Sequence, residues 1–478
     1  MAAINDSPFD LEATHERLRG LARKHMLGPD AACIVAAAAD RERDIPAIRL
    51  SNNDLVQLGY GSLQRRIWGS RVDRTGAIAE GITQDRDLTF RLLKSCGLPI
   101  VDTDDSEVDP NAKTHRLLVV GGQLVVATLT GDSEASPATD VTEHVHPETV
   151  ASACLAARIL GLDIAGVDIQ VKDIAHRLTE QNGGIAAVHA DPGLVMHFQP
   201  ARVEPSSVGR AIVDHLFPDE HTGRIPVIGI TGSSGTSEVA HLIAEFLRLS
   251  GKSPGLACSD GLFIDRRQIE GGNCANWRSG TRVLMNRNVK AAVLENGAEM
   301  ILNEGLSYDR CQIGVVTRID AAEHFGRNYI QSPEQVFQIF RTQVDVVLRT
   351  GVAVLNAADP QVAEMASLCD GEVIFFAFDP DLEAITEHRV RGGRAVFVRD
   401  NHLILATPSE ESQFAPLAEI PFVSDDPSCP RLERMLAAVA AAWALGIAHH
   451  IIRTGLETFS LDPAVSTYLR THGPSDFP

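Results

Sequence analysis

The sequence predicts an α/β protein built around a parallel sheet, with a phosphate-loop-like turn at its centre. Three observations carry this. From about residue 222 short apolar runs alternate with helical patterns, at Val227–Ile230, Ala291–Leu294, Ile313–Thr317, Ala353–Leu355 and Val373–Phe376. Such alternation implies parallel strands covered by helices, with ligands taken at their carboxyl ends. The segment from Ile225 to Glu238 reads strand, glycine-containing turn, helix: Val227–Ile230 is the buried strand, Thr231–Gly235 the turn, and Val239, Leu242, Ile243, Phe246 and Leu247 recur at helical spacing until Gly251. Further on, Ser332 caps a helix, Pro333 suits its first turn, Gln335 completes a capping box, and Gly351 is expected to end it.

The first half is less regular. Leu55–Gly61 reads as strand and turn, Asp87–Cys96 as a short helix, and Leu117–Thr130 as a hairpin around Gly121 and Gly122. Stretches 102–113 and 131–140 are polar and read as surface loops or linkers. His146–Leu160 reads as a helix, and Ala165–Gln170 and Gly183–Val188 as strands. At the other end, Pro430–Leu445 is an alanine-rich helix, followed by Gly446 and a shorter helical stretch to Phe459.

Composition narrows the function classes. The chain has 478 residues, 44% of them apolar and 22% charged, enough for two or three domains. A formal charge of -20 argues against nucleic acid or anionic lipid as a partner, because both demand a basic face. No apolar run of membrane-spanning length and no signal-peptide pattern is present, so the expected location is the cytoplasm. The eight cysteines form no CxxC pair, which favours free thiols over disulfides or zinc. Adjacent His449 and His450 on a helix point to different sides and read as surface residues.

The turn carries the chemistry. In a GxxGK(S/T) loop the backbone N–H groups cradle phosphates, a lysine neutralises the β/γ oxygens and a hydroxyl holds Mg2+. Gly232, Gly235 and Ser237 are in place, but Thr236 occupies the lysine position and Glu238 follows with a negative charge. Ser234, Thr236 and Ser237 lack a nearby histidine in the motif to activate them as nucleophiles.

Several stretches resemble the cyanophycin synthetases, which polymerise aspartate and arginine with an ATP-grasp domain and a Mur-ligase-like domain. They are Leu55–Gly61, the run from Gln84 to Leu93, Ala138–Thr142 with Val145–Glu148, Gly161–Ile169, Pro192–Gly193 with Met196–His197, Glu304–Cys311 and Val354–Pro360, in family order. The resemblance implies a Mur-ligase-like central domain over 222–427, preceded by an N-terminal remnant over 1–50 and a shortened ATP-grasp remnant over 51–221. The opening helices of a Mur C-terminal-like domain would occupy 428–478. It implies ATP and Mg2+ as cofactors and an acid–amino acid ligase by class. For phosphate it points to Gly232, Ser233, Gly235, Thr236 and Ser237, for metal to Ser237, Glu295 and His324, and for adenosine to Asn356 and Asp359. In the ATP-grasp part Asp168 matches a metal ligand, while Ala187 and His189 stand where the family has glutamate and asparagine. A transition metal on Asp168, His189 and Asp191 is one reading, and polar residues left near a turn is the other.

The departures are as informative. The family's clamp lysines and lid would fall between Pro99 and Arg116 and are absent, as are elements between Leu129 and Pro137. In the Mur-like part the run after Glu295 lacks the family's arginine, and Arg318 replaces an asparagine. Three expectations from different classes follow. One is a non-catalytic partner or scaffold, as a homo-oligomer or a hetero-oligomer with a full-length synthetase. Another is a reduced ligase using the Mur-like site, with Arg318 as substitute phosphate cation. The third is a carrier of the Asp/Arg polymer, whose guanidinium groups suit an acidic surface.

Overall fold

The computed structural model describes residues 10–40, 43–101, 111–130, 139–198, 205–219, 221–320, 330–421 and 430–459. It contains two compact units, one formed by residues 1–59 and 64–223, the other by 60–63 and 224–478.

The first unit holds two antiparallel sheets. One is a four-stranded meander of Ala47–Arg49, Leu55–Leu58, Arg65–Trp68 and Arg71–Val72. The other runs Thr139–Asp140, Gln123–Leu129, Lys113–Val120, Ile164–Val171, Gly184–His189. Its hairpin turns at Gly121 and Gly122, with φ of 57° and 78°, where a side chain would be strained. Helix Pro147–Leu160 packs its alanine face on this sheet and ends at Gly161, which is left-handed at φ 75°.

The second unit is dominated by an eleven-stranded sheet. Its order is 267–271, 261–264, 254–258, 291–295, 227–231, 311–316, 347–356, 372–376, 394–399, 402–406, 411–416. The seven strands from 254–258 to 394–399 are parallel, and a hairpin finishes each edge. Val227–Thr231 is central: the chain leaves it for 254–258, returns through 291–295, then crosses to 311–316 on its other side. Its carboxyl end is therefore the topological switch point, the place where open α/β sheets bind ligands. Helices Thr236–Leu249 and Pro430–Ala444 cover one apolar face, with Phe246, Leu436 and Val439 fully buried.

Beneath that strand lies a buried polar knot. Asn296 donates to Tyr308 Oη at 2.7 Å and to Gln343 Oε1 at 2.8 Å, and Tyr308 donates to Gln343 Oε1 at 2.8 Å. A Cβ on Gly229 would collide with the tyrosine oxygen, so the glycine and the Glu304–Cys311 stretch fit as a pair.

One expectation is corrected. Helix Pro333–Asp345 has its capping box but ends six residues before Gly351, which lies inside strand Val347–Asn356. A Cβ there would meet the Gln312 carbonyl at 2.6 Å, so close strand approach, and not a helix stop, explains this glycine. His449 and His450 are exposed. The described cysteines are all free thiols. Among the described residues no helix is long and apolar enough to cross a membrane. Of the polar stretches 102–113 and 131–140, residues 102–110 and 131–138 lie outside the described residues, whereas Lys113 opens strand Lys113–Val120 and Thr139–Asp140 pairs as a short strand with Gln123–Leu129 in place of the expected loop.

Candidate functional site

The phosphate-loop-like turn stands at the switch point with Glu295, Thr317 and Asn356 on the same sheet edge. Gly232 has φ 147° and Gly235 φ 75°, both in the region that favours glycine. The loop is tied to its neighbours. Ser233 N–H donates to the Arg318 carbonyl at 2.9 Å, Asp320 N–H donates to Ser233 Oγ at 2.7 Å, and Thr317 Oγ1 donates to the Ser234 carbonyl at 3.2 Å.

Glu295 ends strand Ala291–Glu295, and its carboxylate accepts four hydrogen bonds. Thr236 Oγ1 donates to Oε1 at 2.7 Å and Ser237 Oγ to Oε2 at 2.7 Å. Ser259 adds its N–H at 2.7 Å and its hydroxyl at 2.8 Å. The hydroxyl and carboxylate matched to metal binding thus face each other. Both are hard oxygen donors of the type Mg2+ takes, but each now satisfies the other's hydrogen-bonding capacity.

The space over Gly235 is filled. Arg434, from the first turns of helix Pro430–Ala444, lies where a Cβ on Gly235 would strike its Nε, and its Nη1 donates to Glu238 Oε2 at 2.7 Å. The cation missing at position 236 is met by a guanidinium from 198 residues further along the chain. Arg318, the cation expected from sequence, is more than half exposed and stands 3.8 Å from Glu433.

The adenosine candidates are engaged internally. Asn356 is fully buried and donates to the Thr317 carbonyl at 2.8 Å and to Glu433, while accepting from Ala358 N–H at 2.9 Å. Asp359 caps helix Pro360–Glu364 through Gln361 N–H at 3.0 Å and Val362 N–H at 3.4 Å, and accepts from Ile319 N–H at 2.8 Å. Asp359→Ala is expected to cost about 1 kcal/mol through the lost cap, read as a lower unfolding midpoint; unchanged stability would refute the capping role. His324 lies outside the described residues.

Asp168 belongs to the other unit. Arg116 grips it with both Nε and Nη2, the latter at 2.6 Å, and His189 Nε2 lies 2.9 Å from its Oδ2. Burial pushes its carboxyl up, but hydrogen bonds from His189 and Arg116 outweigh this and hold it below the usual range. Asp191 pairs instead with Ser70 and Arg71. Asp168 and His189 therefore adjoin each other, while Asp191 is drawn away.

Beside Glu295 opens a cleft of about 420 Å3, lined by Ser259, Asn276, Glu299, Asn303 and Glu304 among others. Sequence reasoning missed Ser259, Glu433 and Arg434. The Asp260-Gly261 pair signals the hairpin that presents Ser259, whereas no local pattern places the start of an alanine-rich helix over a loop two hundred residues away.

A parallel sheet with a glycine turn at its switch point and a carboxylate on the next strand is the arrangement of a phosphate-loop α/β domain, and residues 230–408 match the Mur ligase middle domain family, which makes the fold Mur-ligase-like. Comparison over the whole chain is more specific. It is 27% identical to cyanophycin synthetase of Trichormus variabilis and 28% identical to that of Synechocystis sp., over 94% of this chain and 64% and 66% of those proteins. It is 24% identical to UDP-N-acetylmuramoyl-L-alanyl-D-glutamate--2,6-diaminopimelate ligase of Geobacter metallireducens over 58% of this chain and 54% of that one. Over nearly its whole length the chain is similar to the cyanophycin synthetases. It spans about two thirds of those relatives' length, and the first alignment runs to 577 positions against 478 residues here, so they carry internal segments that it lacks.

Proposed function

We propose that this chain is a ligase homologue that does not turn over at its Mur-type site and acts as a non-catalytic partner or scaffold of an intact synthetase. The observation that supports this is the four-bonded Glu295 carboxylate, which holds Thr236, Ser237 and Ser259. Ligases of this class work by positioning: cations and backbone donors hold the γ-phosphoryl in line with the acceptor carboxylate. The family resemblance brings ATP and Mg2+ with it. Ser237 and Glu295 would hold the metal, but among the described residues Glu238, Glu295 and Glu433 stand around the loop against the two cations Arg434 and Arg318, a poor balance for a polyphosphate. Loss of one preorganised donor costs on the order of 10²–10³ in rate.

In this reading the first unit is a shortened ATP-grasp domain whose metal position, Asp168, serves as an ion-pair anchor for Arg116. The protein works in the cytoplasm as a homo-oligomer or beside a full-length synthetase. Glu299 and Glu304 in the cleft suit the guanidinium groups of an Asp/Arg polymer.

Arg434 favours a second reading, a reduced ATP-dependent ligase joining Asp/Arg-type substrates. A guanidinium over Gly235 reaches a bound phosphate by leaving Glu238. Calorimetric titration with ATP and Mg2+ separates the two. No binding in the sub-millimolar range is expected; binding there, abolished by Arg434→Ala, would establish the reduced ligase instead.

A further inference from the structure

Next to Ser259, which bonds Glu295, three side chains converge from three segments. His241 lies on helix Thr236–Leu249, Cys258 ends strand Pro254–Cys258, and Asp260 sits in the two-residue turn that leads to Gly261. Their ligand atoms all lie within 4.8 Å of one another. His241 Nε2 stands 3.2 Å from Asp260 Oδ2 and 3.7 Å from Cys258 Sγ. We propose that His241, Cys258 and Asp260 form a binding site for a zinc-class divalent transition metal.

Two readings need no metal. A catalytic Cys-His-Asp relay uses both ring nitrogens, one toward the sulfur and one toward the carboxylate. Here both groups face the same Nε2. In a plain hydrogen-bonded cluster the Cys258 thiol donates to the Gly261 carbonyl, 3.6 Å away, and His241 Nε2–H to Asp260, and titration with Co2+ separates that arrangement from a metal site. A cation at their common centre takes one ligand atom from each side chain.

Two of the three edges can be compared directly, and the third, from Cys258 Sγ to Asp260, is no longer than 4.8 Å. Tetrahedral zinc with bonds of about 2.3 Å to sulfur and about 2.05 Å to nitrogen and oxygen spans edges of about 3.6 Å for S···N and about 3.4 Å for N···O. The distances of 3.7 and 3.2 Å lie close to these. The mixed sulfur, nitrogen and oxygen donors suit zinc or cobalt and disfavour Mg2+. The imidazole is held by the edge-to-face ring of Phe263, at 5.4 Å between centroids. Asp260 is exposed and provides an entry path, and the fourth position is left to water. Binding exchanges the thiol proton for the metal and releases it to solvent. The ion would staple the edge hairpin to the helix that follows the phosphate-loop-like turn.

The test is optical. The whole protein, stripped with chelator, is titrated with Co2+, and the thiolate-to-cobalt charge-transfer absorption and the tetrahedral visible bands are recorded. A stoichiometric, saturable signal displaced by Zn2+ is expected. Cys258→Ser should remove the charge-transfer absorption, and Asp260→Asn, a change at an exposed turn that leaves the core untouched, should weaken binding at least tenfold. Uptake with octahedral bands alone, a charge-transfer signal that survives Cys258→Ser, or unchanged affinity in Asp260→Asn would each overturn the assignment.

Discussion

Acidification from about pH 6.5 to about pH 4 should remove about 3 kcal/mol from the stability of the unit that holds His197, a shift of roughly 2.5 pKa units expressed as free energy. His197 is fully buried, with Nδ1 3.1 Å from Thr128 Oγ1 and no partner at Nε2. Burial and then the Arg116 guanidinium oppose its protonation, so the folded imidazole titrates at about 4 against an ordinary 6.5. The sign follows from proton binding. Between these values the unfolded chain takes up a proton that the folded chain refuses, so stability is full above pH 6.5 and falls until about pH 4. Asp168 adds a separate window. Its folded carboxyl is held low, so its contribution is lost only as pH falls below the unfolded value and on through the folded one. Hydrogen exchange of strands Lys113–Val120 and Gln123–Leu129 in wild type and His197→Leu tests this. Protection in the variant should change little between pH 6.5 and 4 after correction for intrinsic exchange rates. Equal losses in both proteins would rule out His197 as the source.

The parallel strands were legible because a strand buried on both faces is an unbroken apolar run, as at Val227–Ile230 and Ala291–Leu294. The Ser332 and Gln335 capping box was legible because both partners lie within one turn. Strand Pro254–Cys258 was not. Proline, glycine, alanine and cysteine give it no local β preference, and it is a strand because Ala291–Glu295 pairs with it and every one of its residues is buried. The site divides the same way. Glycines at 232 and 235 announce the turn, since their backbone angles are a local property. That Glu295 would face Thr236, 59 residues away, and that Arg434 would reach Glu238 are matters of tertiary placement. Asn356 and Asp359 show a subtler limit: an Asn-x-x-Asp pattern at a strand end serves equally for a ligand and for capping the next helix, and here both residues make the local bonds.

Thr236→Lys should raise affinity for ATP with Mg2+ about thirtyfold, the equivalent of about 2 kcal/mol for one charge-assisted hydrogen bond to phosphate. Residue 236 opens helix Thr236–Leu249, where the helix dipole already favours an anion. In the free variant the new ammonium pairs with Glu295, replacing the lost Thr236 hydroxyl bond, so part of the gain is offset before ligand arrives. Glu238→Gln tests the other half of the closure by releasing Arg434, which then turns to the phosphate. If both cations meet the same γ-phosphoryl, the two gains together fall short of their sum. Calorimetry on the single and double variants, with unfolding midpoints as a control for the fold, reads this directly. Absence of binding in a well-folded Thr236→Lys protein would show that charge is not what closes the loop, and that the Arg434 side chain over Gly235 excludes the phosphate by its volume. Arg434→Ala in the same background then restores binding.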